Sequence, residues 1–268
     1  MLNDAQRQKN ADRFTGFAEV YEEARPTFPH QAVEFVCRYL GHVPENVVDL
    51  GCGTGLSTLA WKDTAQNVTG IEPSGDMLAV ARRKEGGNVQ FRQGYGNQTG
   101  LPDAFADAVI CSQSFHWMEP SSTLQEVDRI LKPGGVFATV DCDWPPVTDW
   151  RAEKAYDDLY RKVRKLESEL PDVRDSFTRY SKEKHLQNIR ESGYFRYCRE
   201  IVFFHTEEGS AERVIKLILS QGSLQTIVKK HPGLLDGDLE SFRTEITSVL
   251  GGGTAKIGFC YRMRIGVK

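Results

Sequence analysis

Residues 47–55 read Val47-Val48-Asp49-Leu50-Gly51-Cys52-Gly53-Thr54-Gly55. A short apolar run suited to a buried strand ends in an acidic residue and then in glycines at every second position. Glycine lacks the Cβ that would hold a ligand off the main chain, and the turn delivers free N–H groups at the start of a helix near residues 56–61. The mouth of such a strand-turn-helix unit is where open α/β sheets bind nucleotides. A dinucleotide fingerprint wants G-x-G-x-x-G, and after Gly51 and Gly53 that position is Leu56; a phosphate loop wants Gly-Lys-Ser/Thr, and no lysine follows. Asp49 places a carboxylate beside the turn, a poor neighbour for a pyrophosphate and a good acceptor for a cationic ligand.

Further strands follow at the spacing of an α/β fold. Residues 68–71 form a second short strand ending in Glu72-Pro73-Ser74, with Ser74 placed to cap a helix over 75–83. Residues 89–93 form a third, followed by Gly94-Tyr95-Gly96-Asn97, and residues 107–111 a fourth, followed by Ser112-Gln113-Ser114-Phe115-His116-Trp117. Ser122-x-x-Gln125 has the pattern of a capping box, Leu131-Lys132-Pro133-Gly134-Gly135 stops that helix, and residues 136–140 make a fifth strand.

With these segments in order, the chain over roughly residues 45–142 resembles the class I S-adenosylmethionine (SAM)-dependent methyltransferases, Asp49 to Gly55 standing where that family has its first motif. The resemblance implies that the turn, with Cys52 and Thr54, meets the methionine part of SAM and that Asp49 lies near its ammonium end. Glu72 ends the second strand, where nucleotide-binding α/β folds put the carboxylate that accepts from two ribose hydroxyls, with Pro73 beside it. Met77 is placed to press on an adenine face, although methionine there is a core residue nearly as often. Family members commonly put an Asp or other polar residue after the third strand to bind the adenine amino group. Here Tyr95 stands there, so Asn97 or main-chain groups around Gly94 take that contact and Tyr95 stacks. Ser112, Gln113 and Ser114 correspond to the segment beside the transferable methyl. The Phe-His-Trp form looks like the branch that includes trans-aconitate methyltransferases; His116 is then a candidate base and Trp117 a wall of the pocket.

The 268 residues carry a net charge of -3, with 40% hydrophobic and 26% charged residues, so the chain reads as globular and shows no electrostatic footprint for nucleic acid. The six cysteines are scattered, without metal-ligand spacing, which points to reduced thiols and no metal. No apolar run spans a membrane and the polar start lacks a signal peptide's apolar segment, so a cytoplasmic location is expected.

Four segments are expected. Residues 1–30 form an N-terminal lid, residues 31–142 the SAM-binding Rossmann-like core, residues 143–198 a helical cap, and residues 199–268 the last strands with inserted helices over 207–250. Residues 3–13 are polar and read as frayed. Phe14, Phe17 and Tyr21 recur at helical spacing, either as an aromatic stripe packed on the core or, by the resemblance, as part of a Tyr…Arg-Pro lid that turns Tyr21 and Arg25 toward the acceptor. The fold expected is a seven-stranded, mostly parallel Rossmann-like sheet with its last strand antiparallel. Arg174, Arg179 and Arg190 of the cap, with Arg25, are candidates to receive an anionic substrate, against a reading as solvated surface charges.

The function expected is methyl transfer to a small molecule at oxygen, by in-line displacement, in a monomer or homodimer. A carboxylate acceptor needs no base; a hydroxyl would need one, and His116 and Tyr21 are the candidates. The competing readings are a non-catalytic SAM-binding regulator and an NAD-dependent oxidoreductase.

Overall fold

A computed structural model describes residues 4–13, 15–16 and 18–268. Seven strands form one sheet in the order β3-β2-β1-β4-β5-β7-β6: β1 Asn46–Leu50, β2 Asn67–Glu72, β3 Val89–Gln93, β4 Ala106–Ser112, β5 Leu131–Cys142, β6 Tyr197–Gly209 and β7 Ala255–Val267. The first five are parallel, and β7 runs antiparallel to both β5 and β6. Chain order reverses between β1 and β4, so their carboxyl ends open a crevice at the switch point.

Alternation along the strands builds two cores. Val47, Ala108 and Ala138 point to one face, on which α3 (His30–Leu40) and α5 (Gly75–Arg82) pack; the same core continues into α7 (Trp150–Glu169), α10 (Ala211–Leu219), α11 (Gly222–Lys230) and α12 (Asp236–Leu250), which pack mainly on one another. Val48, Val109 and Phe137 point to the other, under α6 (Pro120–Ile130) and α9 (His185–Glu191). Two more helices, α1 (Asp4–Asp12) and α2 (Ala18–Ala24), precede the sheet; α4 (Leu56–Leu59) follows the glycine turn and α8 (Pro171–Arg174) follows α7.

Several expectations are corrected. Residues 4–12 are helical, not frayed, and Phe14 and Phe17 of the expected aromatic stripe lie outside the described residues. Helix α6 begins at Pro120 with Glu119 as its cap, accepting from the N–H groups of Ser121 and Ser122, so Ser122 does not open it. Ser74 makes no side-chain cap; its N–H instead donates to Glu72. Between β6 and β7, where inserted helices were expected over 207–250, stand α10, α11 and α12, with Gln221 and Gly222 separating the first two.

Candidate active site

The glycine turn leaves β1 at Gly51, whose N–H donates to the carbonyl of Ile71 at 2.8 Å, tying the turn to the end of β2. Gly51 has φ +65°, and a Cβ there would meet the Ser114 side chain at 2.7 Å; at Gly53, φ +57°, a Cβ would meet no atom within 4 Å. The first glycine therefore lets the loop after β4 come close, while the second faces open space where a ligand can lie against the main chain.

Two carboxylates flank this turn. Asp49 is fully buried; its Oδ2 accepts from Ser57 Oγ at 2.6 Å and Thr58 Oγ1 at 2.7 Å, while its Oδ1 is buried with no partner. Burial pushes its carboxyl up to about 6, against the pull of the two hydroxyls. Glu72 accepts from the N–H of Gly53 at 2.9 Å and of Ser74 at 2.8 Å. Burial raises its carboxyl to about 7 although both N–H groups favour the charge, and Asp49 adds to the rise. Two neighbouring buried carboxylates, one with an orphaned oxygen, suit a ligand that brings a positive charge and hydroxyl donors.

A cleft of about 1260 Å³, its open mouth included, runs over the carboxyl ends of the parallel strands. Of the residues singled out from sequence, it is lined by Gly51, Cys52, Gly53, Thr54, Glu72, Pro73, Met77, Tyr95, Asn97, Ser112, Gln113, Ser114, Trp117, Tyr21 and Arg25. Asp49, Gly55 and Gly94 stand behind this wall: Asp49 under α4, Gly55 against Phe91 and Gly94 against Ile71. Tyr95 donates its hydroxyl to Gln8 of α1 at 3.0 Å.

His116 is not brought to the wall. Its ring is buried against Trp117, with centroids 4.7 Å apart, and Nδ1 lies 3.9 Å from Asp141 Oδ1. Burial, then the Lys182 ammonium, holds its pKa well below the usual imidazole value, so it is neutral. Asp141, at the end of β5, is the hub here: it takes Lys182 at 3.0 Å on Oδ1, and His185 at 3.1 Å and Arg264 at 3.0 Å on Oδ2. Against burial, the Lys182 ammonium and the hydrogen bond from His185 hold its carboxyl well below the ordinary range.

Lys182 also donates to Gln113 Oε1 at 2.6 Å. An ammonium accepts nothing, so the amide oxygen must face Lys182 and the Gln113 NH2 group turns away from it. Gln113 holds φ +52°, a backbone state uncommon for a side chain of its size.

The cap arginines do not reach the cleft either: Arg179 pairs with Glu167 at 2.9 Å, Arg174 with Asp175 at 2.8 Å, and Arg190 reaches the Cys198 carbonyl. Arg25 does. Its Nη2 donates to the Ser220 carbonyl at 3.0 Å, its guanidinium lies 4.6 Å from the Tyr21 ring centre, and its Nε is buried without a partner.

Sequence reasoning missed Arg7, Asn10 and Ala11 of α1, Met118 after the Phe-His-Trp turn, and Tyr261 of β7, all on the cleft wall. Only Tyr261 carried a signal, the alternation of the last strand. Among the described residues no cluster of His, Cys, Asp or Glu could hold a metal ion, and no helix is long and apolar enough to cross a membrane.

Comparison with known proteins agrees with this geometry. Residues 48–139 match the family model described as "Methyltransferase domain". An uncharacterized methyltransferase of Mycobacterium tuberculosis is 34% identical over 120 residues, 45% of this chain and 48% of its own length, so the chain spans about half of that relative. The malonyl-[acyl-carrier protein] O-methyltransferase of Enterobacter lignolyticus is 30% identical over 176 residues, 63% of this chain and 69% of its own. In fold, a putative type II methyltransferase from Anaeromyxobacter dehalogenans superposes with a TM-score of 0.70 at 17% identity, over 91% of this chain and 97% of its own. The likeness thus extends from the glycine turn through the sheet, and the chain belongs to the class I SAM-dependent methyltransferases.

Proposed function

We propose that the chain transfers a methyl group from SAM to a small-molecule acceptor at oxygen, and that the oxygen belongs to a carboxylate received by Arg25. SAM supplies a methyl group already activated on a sulfonium, so the protein has to align a nucleophile opposite the departing sulfur and exclude water. Glu72 takes the ribose hydroxyls, the main chain around Gly53 takes the methionine part, and the orphaned Asp49 oxygen supplies negative potential beneath the cation. Met77, Tyr95 and Asn97 take the adenine. In this reading β3 and β2 lie at the adenine end and β4 beyond the methionine end, so that Gln113 and Ser114 stand beside the reacting methyl; the strand order is consistent with it.

The observation that carries the acceptor class is Arg25. A guanidinium in the cleft wall with a buried, unpartnered Nε is a site for an anion, since leaving that donor unmet costs about 1–3 kcal/mol. A carboxylate brings its own negative charge and needs no base, which agrees with a neutral His116 held off the wall. One relative is named malonyl-[acyl-carrier protein] O-methyltransferase, a name that also gives oxygen as the acceptor atom.

Calorimetry with SAM and with NAD, followed by mass spectrometry of a cell extract incubated with the protein and isotopically labelled SAM, tests the reading. SAM binding and a labelled methyl ester are expected. Binding of NAD in place of SAM would sink it, and SAM binding with no labelled product would favour a regulatory role.

A further inference from the structure

Strand β6 is the outer edge of the sheet, and its partner β7 shows which of its main-chain groups are used. Gly258 of β7 exchanges hydrogen bonds with Val147 at 2.8 Å in both directions, and the Cys260 carbonyl accepts from the Asp143 N–H at 2.8 Å. The even-numbered residues of β7 thus face the β5 side, so its odd-numbered residues face β6, where Tyr261 pairs with Phe203. By alternation the even-numbered residues of β6 aim their N–H and C=O groups away from the sheet.

The side chains agree. Arg190 reaches the Cys198 carbonyl at 3.5 Å, Arg199 that of Glu200 at 3.4 Å, and Arg213 that of Glu208 at 3.0 Å. Arginines therefore cover both ends of the edge and leave its middle open. Among the described residues, no donor or acceptor reaches the outward main-chain groups of Val202, Phe204 and Thr206. Val202 is 59% exposed and Phe204 48%, and Val147, also exposed, lies beside them across Gly258. Residues 201–204, Ile-Val-Phe-Phe, contain no charge, proline or glycine, none of the devices that blunt a free edge.

We propose that this edge is where two copies of the chain pair, antiparallel about a two-fold axis at Phe203, so that one sheet runs through both. The register follows from charge and from the outward groups. With Phe203 opposite its own copy, Val202 and Phe204 of the two chains exchange main-chain hydrogen bonds, and Arg199 of each stands opposite Glu207 of the other. Moved by one pair in one direction, Glu200 would oppose Glu208, a like-charge clash; in the other, Arg199 would lose its acidic partner to His205. The contact is isologous and closes on itself, so it yields a dimer and not a fibre.

Sedimentation equilibrium of the full chain over micromolar concentrations tests this. A mass twice that of the chain is expected. Val202→Lys should raise the dimer dissociation constant by about 30-fold or more, the effect of removing a central contact. Phe204→Pro removes an outward N–H without touching the ladder to β7 and should do the same, with unchanged SAM binding and circular dichroism. Val43→Lys, at another exposed apolar position, should leave the dimer intact. A wild-type chain that sediments as a monomer throughout, or a dimer that survives both β6 substitutions, overturns the proposal.

Discussion

At the scale of single residues, the ribose contact proposed for Glu72 would couple binding to pH. A cationic ligand with two hydroxyl donors prefers the ionised form, and in the free protein that form is held back to about pH 7. The bound pKa therefore lies below the free one, so binding below pH 7 releases a proton. Affinity for SAM should therefore rise with pH up to about 7 and then level, and calorimetry in buffers of different ionisation enthalpy reads the proton directly. Glu72→Gln keeps the shape and one acceptor but loses the charge. We expect SAM affinity to fall by about 1.5–3 kcal/mol, roughly 10- to 150-fold, and its pH dependence to flatten. Gly51→Ala acts differently: the new Cβ has nowhere to go against Ser114 and the left-handed backbone is strained, so stability itself should fall by about 1–3 kcal/mol in thermal melts, with or without ligand. That Glu72, Gly51 and Gly53 meet at one cleft was legible because the signal is local, a carboxylate at a strand end and glycines at alternate positions. His116 was not. A motif places a residue on a loop, but whether its ring turns into the cleft or under it depends on what packs beneath, here Asp141 and His185 from distant parts of the chain.

At the scale of elements, α1 shows what periodicity leaves out. Its sequence, Asp-Ala-Gln-Arg-Gln-Lys-Asn-Ala-Asp, has no apolar stripe, and from the sequence it read as frayed. It is held by polar contacts. Asn10 donates to the carbonyls of Trp117 and Thr178 at 2.9 Å each and accepts from the Thr178 N–H at 2.8 Å. Just beyond the helix, Arg13 lies 3.8 Å from the Phe177 ring centre and donates to Glu167 and Ser223. Burial lowers the Arg13 guanidinium to about 10, Glu167 partly opposing, and it stays charged at neutral pH. A pattern of hydrophobicity cannot report an element anchored in this way. Because Arg7, Asn10 and Ala11 line the cleft, Asn10→Ala should free that wall. The three hydrogen bonds lost are worth about 1 kcal/mol each, so cleavage within α1 by a protease at low dose and the release rate of bound SAM should both rise about 10-fold or more. If SAM release is unchanged in stopped flow, α1 is a wall that ligands do not need to move.

At the scale of the whole molecule, the half of the chain up to β5 was readable because each strand announces itself as a short apolar run bounded by turn residues. The rest was readable as elements but not as placement. Helices α7, α10, α11 and α12 show apolar faces in the sequence; in the structure they pack chiefly on one another, with α10 also against α2, and their buried residues join the core cluster that reaches the sheet. Amphipathic spacing says that a face is buried, not which partner buries it. The consequence is that ligand binding and global stability are linked through one folded body, since the turn, the sheet and these helices share a continuous core. A ligand that binds only the folded chain at about 100 times its dissociation constant adds about 2.7 kcal/mol. For a protein of this size each kcal/mol moves the melting temperature by about 2–4 °C, so saturating SAM should raise it by about 5–11 °C in differential scanning calorimetry, and NAD by none. Two separate transitions, of which only one moves with SAM, would show that the helices beyond β5 fold apart from the glycine turn and that the shared core does not couple them.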